Sequence, residues 1–378
     1  MAIVGTRGIP ARYGGFETFA ERLAVGLVAR GVDVTVVCPR SAGPRPTRYR
    51  GVRLDYVPAC GGGTAATLLY DLLSLWRACW RSDVVYMLGY ASSVFCILPR
   101  LLGREVWINM DGLEWKRSKW RGLPRLWLRF TEAVACLVAT RLIFDSAAVA
   151  RNVLARHSRR GPSTVIAYGA DVERERPDAD VIDELGLAEG EYYLAVCRFE
   201  PENQVREIVE AYRASSCTRP LVLVTNDVES PYARETRALE DERVRFVGSV
   251  YEPDRLFALR AGCRAYVHGH TVGGTNPSLL ESMACGVPVL AHDNPFNREV
   301  LGEAGRWFAS PRELTTVFDA VETLPAGSCR REGAAARDRV LERYTWDAIV
   351  EAYGELLGAD ELRADELEQR GQGQRRVS

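Results

Sequence analysis

Short apolar runs rich in β-branched residues alternate with helix-period stretches along almost the whole chain, and this alternation narrows the possible folds more than any other feature. A strand buried on both faces reads as a continuous apolar run, and a parallel neighbour can be reached only through a crossover, usually a helix. Repeated βαβ units on parallel sheets are the expected architecture. In the first half the strand runs are residues 2–4, 34–38, 53–57, 84–88, 105–108, 141–144 and 164–166; in the second they are 193–196, 221–225, 244–247, 265–268 and 287–291. At 378 residues the chain exceeds the size at which one core stops growing, so each series is expected to form its own sheet. The expected fold class is α/β, with two Rossmann-like parallel-sheet domains facing a central cleft, where open sheets of this type bind ligands. The expected domains are 1–170 and 171–345. Residues 346–378 are expected to hold a helix returning to the first domain and a disordered polar tail.

Charge divides the chain at the same place. Up to Ala170 there are 24 basic and 11 acidic residues, and from Asp171 onward 25 and 39, so a net charge of −1 conceals halves of +13 and −14. The basic half is suited to an anionic surface or substrate. Only Lys116 and Lys119 are lysines, so a single arginine carries little information here. Ten cysteines are scattered with no CxxC pair, which removes zinc ribbons and redox dithiols and suits a reducing compartment. No signal peptide is visible, and the chain is expected to be cytoplasmic. Residues 84–99 are uncharged but too short and too punctuated to span a membrane; a buried strand followed by a buried helix is expected.

Two segments carry the chemistry. The first strand runs into GTRGIPARYGGFETF, a glycine-studded loop before an amphipathic helix, suited to close approach of a phosphate or sugar hydroxyl and equally readable as a plain βα loop. Its GxxG spacing, and the absence of a ribose-binding acid after the second strand, exclude a nicotinamide dehydrogenase. The second segment, HGHTVGGTNPSLLESMACGVPVLA, places a strand end, a glycine loop and Pro277 at a helix start. A diphosphate there would meet free N–H groups from Gly274, Thr275, Asn276, Ser278 and Leu279 around Pro277, with the helix dipole behind them. Glu281, one turn in, is placed to accept hydrogen bonds from a ribose diol; the competing reading is a capping or buried glutamate.

These segments resemble glycosyltransferase family 4, the retaining two-domain enzymes of GT-B fold, over nearly the whole chain. The family's Gly-Gly-x-Glu element is matched by Gly14, Gly15 and Glu17. Its Arg-x-x-Pro-Glu-Lys-Gly element is matched at Arg198, Pro201 and Glu202, with Asn203 and Gln204 in place of Lys and Gly. Its Glu-x7-Glu motif with Ala-x-Gly-x-Pro-Val is matched at Glu281, Ala284, Gly286, Pro288 and Val289, with Gly273 where the first acid stands. The stretches GGTNPSLLE, GTRGIPARYGGFE and NMDGLEWKR are similar to a bacterial subfamily that includes rhamnosyltransferases of cell-surface polysaccharide assembly, whose donor is dTDP-L-rhamnose. The resemblance implies a nucleotide-sugar donor, metal-independent transfer without a cofactor, and a saccharide or polyprenyl-diphosphate-linked acceptor. It assigns Gly14, Gly15, Arg198, residues 274–279 and Glu281 to the donor, with Arg198 and Glu281 also catalytic.

Asp111 follows the strand at 105–108; the resemblance places it beside the reacting sugar, to orient or deprotonate the acceptor, and the alternative is a turn-forming Asp before Gly112. Residues 109–130 interleave cations with aromatics. Glu114, Trp115, Lys116, Arg117 and Lys119 are expected either on an acceptor or anionic-membrane face or on a solvated helix whose tryptophans are core. No nucleic-acid motif accompanies them. Two rival functions share the architecture: a nucleotide-sugar epimerase and a catalytically silent sugar-nucleotide-binding protein.

Overall fold

The computed structural model describes residues 1–11, 14–40, 44–59, 61–159, 161–172, 180–226 and 228–358. The first sheet contains β1 (Ala2–Val4), β2 (Thr35–Arg40), β3 (Arg48–Tyr49), β4 (Val52–Pro58), β5 (Val84–Leu88), β6 (Glu105–Asn109), β7 (Arg141–Phe144) and β8 (Ser163–Val165). Their order is β3-β4-β2-β1-β5-β6-β7-β8. All neighbours are parallel except β3 and β4, a hairpin whose turn residues Arg50 and Gly51 both have positive φ, the geometry that matches strand twist. The second sheet contains β9 (Tyr193–Cys197), β10 (Leu221–Thr225), β11 (Val244–Gly248), β12 (Ala265–His268), β13 (Val289–His292) and β14 (Arg306–Phe308), in the order β11-β10-β9-β12-β13-β14 and wholly parallel. Periodicity overlooked only β3 and β14, edge strands of two and three residues that form no part of a longer apolar run.

Each sheet reverses its winding once, at β1 and β5 in the first and at β9 and β12 in the second. A crevice opens at the strand carboxyl ends where winding reverses. The residues leaving these strands and their neighbours β6 and β7 therefore converge: Gly5 to Arg7, Gly89, Asp111, Asp145, Arg198 and the loop after His268 all line one cleft of about 1390 Å³.

The helix at 346–358 lies on the first domain. Tyr353 is fully buried and its hydroxyl is 2.7 Å from that of Tyr86 on β5, while Phe19 packs edge-on against Tyr353 at 5.9 Å. Residues 173–179, in the expected linker, and the tail from 359 lie outside the described residues.

The expected buried helix after β5 forms only in part, with Ser93, Cys96 and Pro99 buried. Chain 93–101 makes a tight turn, Ser93–Cys96, and a short helix, Ile97–Leu101, whose Ile97 is half-exposed and whose Leu101 is 80% exposed. An uncharged sequence does not reveal which side a neighbouring element covers. The nine described cysteines are free, and seven are buried, behaving as small apolar residues.

Candidate active site

On the second domain, Asn276 caps the helix Pro277–Ala284, its side chain accepting the Ser278 N–H at 2.9 Å, with Pro277 at the first turn. This corrects the expectation of a row of free amides. The Thr275 N–H is donated to Asp145 Oδ2 at 2.8 Å and its hydroxyl to the Asp145 carbonyl. Leu279 N donates to Asn276 O, Pro277 has no N–H, and Leu279 is fully buried in the core and does not line the cleft. The amides of Gly274 and Asn276, together with the helix dipole, are what remains for an anion. A cap is the usual fate of an Asn before a helix, and here it consumes a donor the ligand was expected to use.

Glu281, 42% exposed by side chain, lines the cleft, and its Oε2 is 2.7 Å from Arg260 Nη2. Arg260 stands on the helix Pro253–Gly262 with a side chain only 6% exposed, donates also to Ser278 Oγ at 3.2 Å, and has a buried Nε without a partner. Ser278 is held by Tyr266 at 2.8 Å. Arg260 thus fixes Glu281 and adds a cation at the cleft wall. Sequence reasoning missed it because arginine is so common in this chain. Arg198 leaves β9 exposed into the cleft. Asn203, where the family has Lys, lines the cleft while largely buried, and its Nδ2 donates to the Arg198 carbonyl at 2.8 Å, which shapes the loop. Gln204, where the family has Gly, adopts left-handed φ 53° and ψ 36°. Gln204→Gly is expected to stabilise the fold by about 0.5–1 kcal/mol, visible as a higher thermal midpoint, because the strain of a side chain there outweighs the added unfolded-state entropy.

On the first domain, Gly14 takes φ 111°, a conformation a side chain resists, and Gly15 faces Pro277 across the cleft. Asp111, also at positive φ, donates its N–H to Asn109 Oδ1 at 2.8 Å and accepts the Tyr168 hydroxyl at 3.0 Å. Burial, then the nearby Glu114 carboxylate, push the Asp111 carboxyl above its usual range. Asp145, 2% exposed at the end of β7, is raised by burial and by Asp111 beside it, and its Oδ1 has no hydrogen-bond partner. Sequence reasoning passed over Asp145, although its signal was that of Asp111: an acid directly after a strand whose carboxyl end faces the cleft. Both acids are thus shifted toward the protonated form, chiefly by burial.

Glu114 and Arg117 line the cleft as an ion pair at 2.8 Å, and Lys119 lines it beside Trp120. Lys116 points outward, and the Trp115 ring is half-buried, its Nε1 donating to the buried Glu132 at 2.9 Å. Neither Trp115 nor Lys116 reaches the cleft. Of the expected group of five, Glu114, Arg117 and Lys119 therefore stand on the cleft wall, while Trp115 and Lys116 lie away from it. Between the loops, His270 is half-buried, and its ring is pushed down to about 3 by desolvation and by Arg117 and Arg198, leaving a neutral imidazole on the wall.

The two lobes touch where these loops meet. A Cβ on Gly112 would stand 3.4 Å from the backbone of Gly273 and Gly274, and one on Gly274 would overlap the Asp145 carboxylate. Glu299 of the second domain accepts from Ala147 N at 2.6 Å and Ala148 N at 2.8 Å, capping the helix Ala147–Arg156 of the first. Gly274→Ala is expected to cost about 1–3 kcal/mol by overpacking this seam, read as a lowered midpoint in thermal denaturation, with partial recovery in Gly274→Ala/Asp145→Gly.

Two facing parallel-sheet lobes with a cleft between them constitute the GT-B fold. The chain is similar to sucrose-phosphate synthase from Thermosynechococcus elongatus (TM-score 0.79, 19% identity, 96% of this chain and 99% of that one). It is also similar to Anabaena HepE in complex with UDP and glucose (TM-score 0.76, 16% identity, 95% and 100%) and to trehalose 6-phosphate synthase from Burkholderia multivorans (TM-score 0.72, 12% identity, 97% and 98%). Residues 190–325 match the family of glycosyl transferases group 1, and residues 1–171 match a domain of unknown function. The O-antigen chain mannosyltransferase B of Escherichia coli is 26% identical over 177 residues, 44% of this chain. The chain spans about 45% of the length of that curated relative.

Proposed function

We propose that the protein is a retaining glycosyltransferase that moves a hexose from a nucleotide diphosphate sugar to a hydroxyl of a saccharide or polyprenyl-diphosphate-linked saccharide. The observation that carries this reading is one cleft lined by Glu281, Arg198 and Arg260 on one lobe and by Asp111 on the other. The group 1 family match and the relatives solved with UDP or a UDP-sugar support it.

In this reading Glu281 accepts the ribose hydroxyls, and the Gly274 and Asn276 amides and Arg198 hold the diphosphate. The bond from the anomeric carbon to the diphosphate oxygen breaks, and the electron pair leaves with the nucleotide. Negative charge grows on the leaving group, and preorganised donors that face it contribute most to the rate. The acceptor oxygen forms its bond to the anomeric carbon on the face the nucleotide vacates. Its proton passes to a donor phosphate oxygen, with Asp111 orienting the hydroxyl or accepting that proton. No metal or enzyme nucleophile takes part. Closure of the lobes excludes water and suppresses hydrolysis.

The sugar is read as L-rhamnose, carried by dTDP, and the reaction as part of cell-surface polysaccharide assembly at the cytoplasmic face of the membrane. A Cβ at Gly273 would meet nothing within 4 Å, so the wall leaves a gap where the resembling family places a carboxylate, and a deoxy sugar with one hydroxyl fewer makes less demand there. The mannosyltransferase relative favours a mannose nucleotide as the second reading.

The test offers dTDP-rhamnose, a mannose nucleotide and UDP-glucose with lipid-diphosphate saccharide acceptors, read by mass spectrometry. A new glycosidic bond is the expected product. An isomerised nucleotide would point to an epimerase, and binding without turnover to a silent binding protein; either overturns the proposal.

A further inference from the structure

The helix Leu123–Val138 is apolar on two faces. Its inner face, with Leu128, Ala135 and Cys136, is buried in the first domain. Its outer face carries Leu123, Leu126, Trp127, Phe130 and Leu137, spaced as one stripe and exposed by 81, 60, 36, 54 and 80%. The helix Thr64–Cys79 and the residue after it repeat the pattern: Leu69, Trp76 and Trp80 are 44, 51 and 57% exposed and share a face. That helix packs against Ile97–Leu101, which exposes Ile97 and Leu101, and the turn Ser93–Cys96 packs against all three helices. The three stripes thus lie on neighbouring helices of the same domain. An outward apolar area of this extent costs free energy in water unless something covers it.

Charge indicates what covers it. The Trp115 ring is surrounded by Lys116, Arg125, Arg129 and Arg156, with cationic centres 4.9 to 5.6 Å from its centroid. Glu132 pairs with Arg156 and His157, while Arg125 and Arg129 have no ion pair among the described residues. A pocket of about 470 Å³ opens there, lined by Arg129, by Leu126 and Phe130 of the stripe, and by Arg156 and His157 with the Glu132 carboxylate they pair. Cations therefore sit at the margin of the apolar face, beside a hollow sized for a headgroup.

We propose that the face built by helices Thr64–Cys79, Ile97–Leu101 and Leu123–Val138 docks on an anionic phospholipid bilayer, the apolar stripes entering its interface and a lipid phosphate seating beside Arg125 and Arg129. Among the described residues no helix is long and apolar enough to cross a membrane, so the contact is peripheral. It shares Arg125, Trp127, Arg129 and Phe130 with the stretch 109–130 expected from sequence, and extends that expectation to the helices Thr64–Cys79 and Ile97–Leu101, which sequence did not single out. Lys119 and Trp120, in the cleft wall just before this helix, place the cleft mouth next to the bilayer. The proposal stands independently of the sugar transferred.

The full chain is sedimented with vesicles of phosphatidylcholine, with and without phosphatidylglycerol. Wild type is expected to co-sediment with the anionic vesicles, at least tenfold more than with the neutral ones, and to be released by salt. Leu126→Glu/Phe130→Glu is expected to abolish binding, and Arg125→Gln/Arg129→Gln to weaken it about tenfold or more. Donor affinity in solution and the thermal midpoint of Leu126→Glu/Phe130→Glu should match wild type, which separates this result from a failure to fold or of the transferase reading. Failure of wild type to bind anionic vesicles, equal binding by both double variants, or a dimer in sedimentation velocity that the Glu variant breaks without any vesicle binding overturns it.

Discussion

Asp111→Asn is expected to lower kcat for glycosyl transfer by about 10²- to 10⁴-fold, with little change in donor affinity. Asparagine keeps a carbonyl oxygen for the Tyr168 hydroxyl but removes the carboxylate that would orient or deprotonate the acceptor. Because burial raises the Asp111 carboxyl, wild-type activity should rise with pH as the group ionises, and that limb should vanish in the variant. Stability runs the other way. A carboxyl whose folded pKa exceeds the unfolded value near 4 favours folding in its protonated form, so stability falls as pH climbs above about 4 and levels off once the folded group has ionised. Asp111→Asn should remove part of that descent in thermal midpoints measured from about pH 4 to about pH 8, with Asp145 retaining the remainder. A variant with wild-type turnover would remove Asp111 from the mechanism.

Glu281→Ala is expected to weaken nucleotide-sugar binding by roughly thirty- to a hundredfold, about 2–3 kcal/mol, as two hydrogen bonds to a charged acceptor are lost. In the wild type the Arg260 guanidinium holds the carboxylate in place to receive the ribose hydroxyls. Glu281→Gln, which keeps an acceptor oxygen but loses the charge, should fall between the two. Titration calorimetry with UDP-glucose and dTDP-rhamnose measures the difference. Unchanged affinity in the alanine variant would mean that the nucleotide lies elsewhere in the cleft.

The cleft-lining residues were unequally legible in sequence. Arg198, Gly274, Asn276 and Glu281 sit in local patterns of strand end, glycine loop and helix start, and such patterns are short-range. Asp145 carries the same local mark but lies in a segment without glycine punctuation, and its importance comes from the Thr275 amide of the other domain, 130 residues away. Arg260 carries no mark at all, since one arginine among many in an arginine-rich chain is distinguished only by the carboxylate it meets. The amides of Thr275, Ser278 and Leu279 were expected to be free because sequence shows donors without showing which are already used.

Sequence alone determined the alternation of strand and helix, the two-sheet division, the charge polarity between the halves and the loops that approach a ligand, because periodicity, glycine and proline act within a few residues of chain. Tertiary structure decided which acids are paired, which amides remain available, and which apolar helix faces stay uncovered. Those outcomes depend on contacts between residues distant in the chain, and on burial, which sets both the pKa of a carboxyl and the cost of an exposed tryptophan.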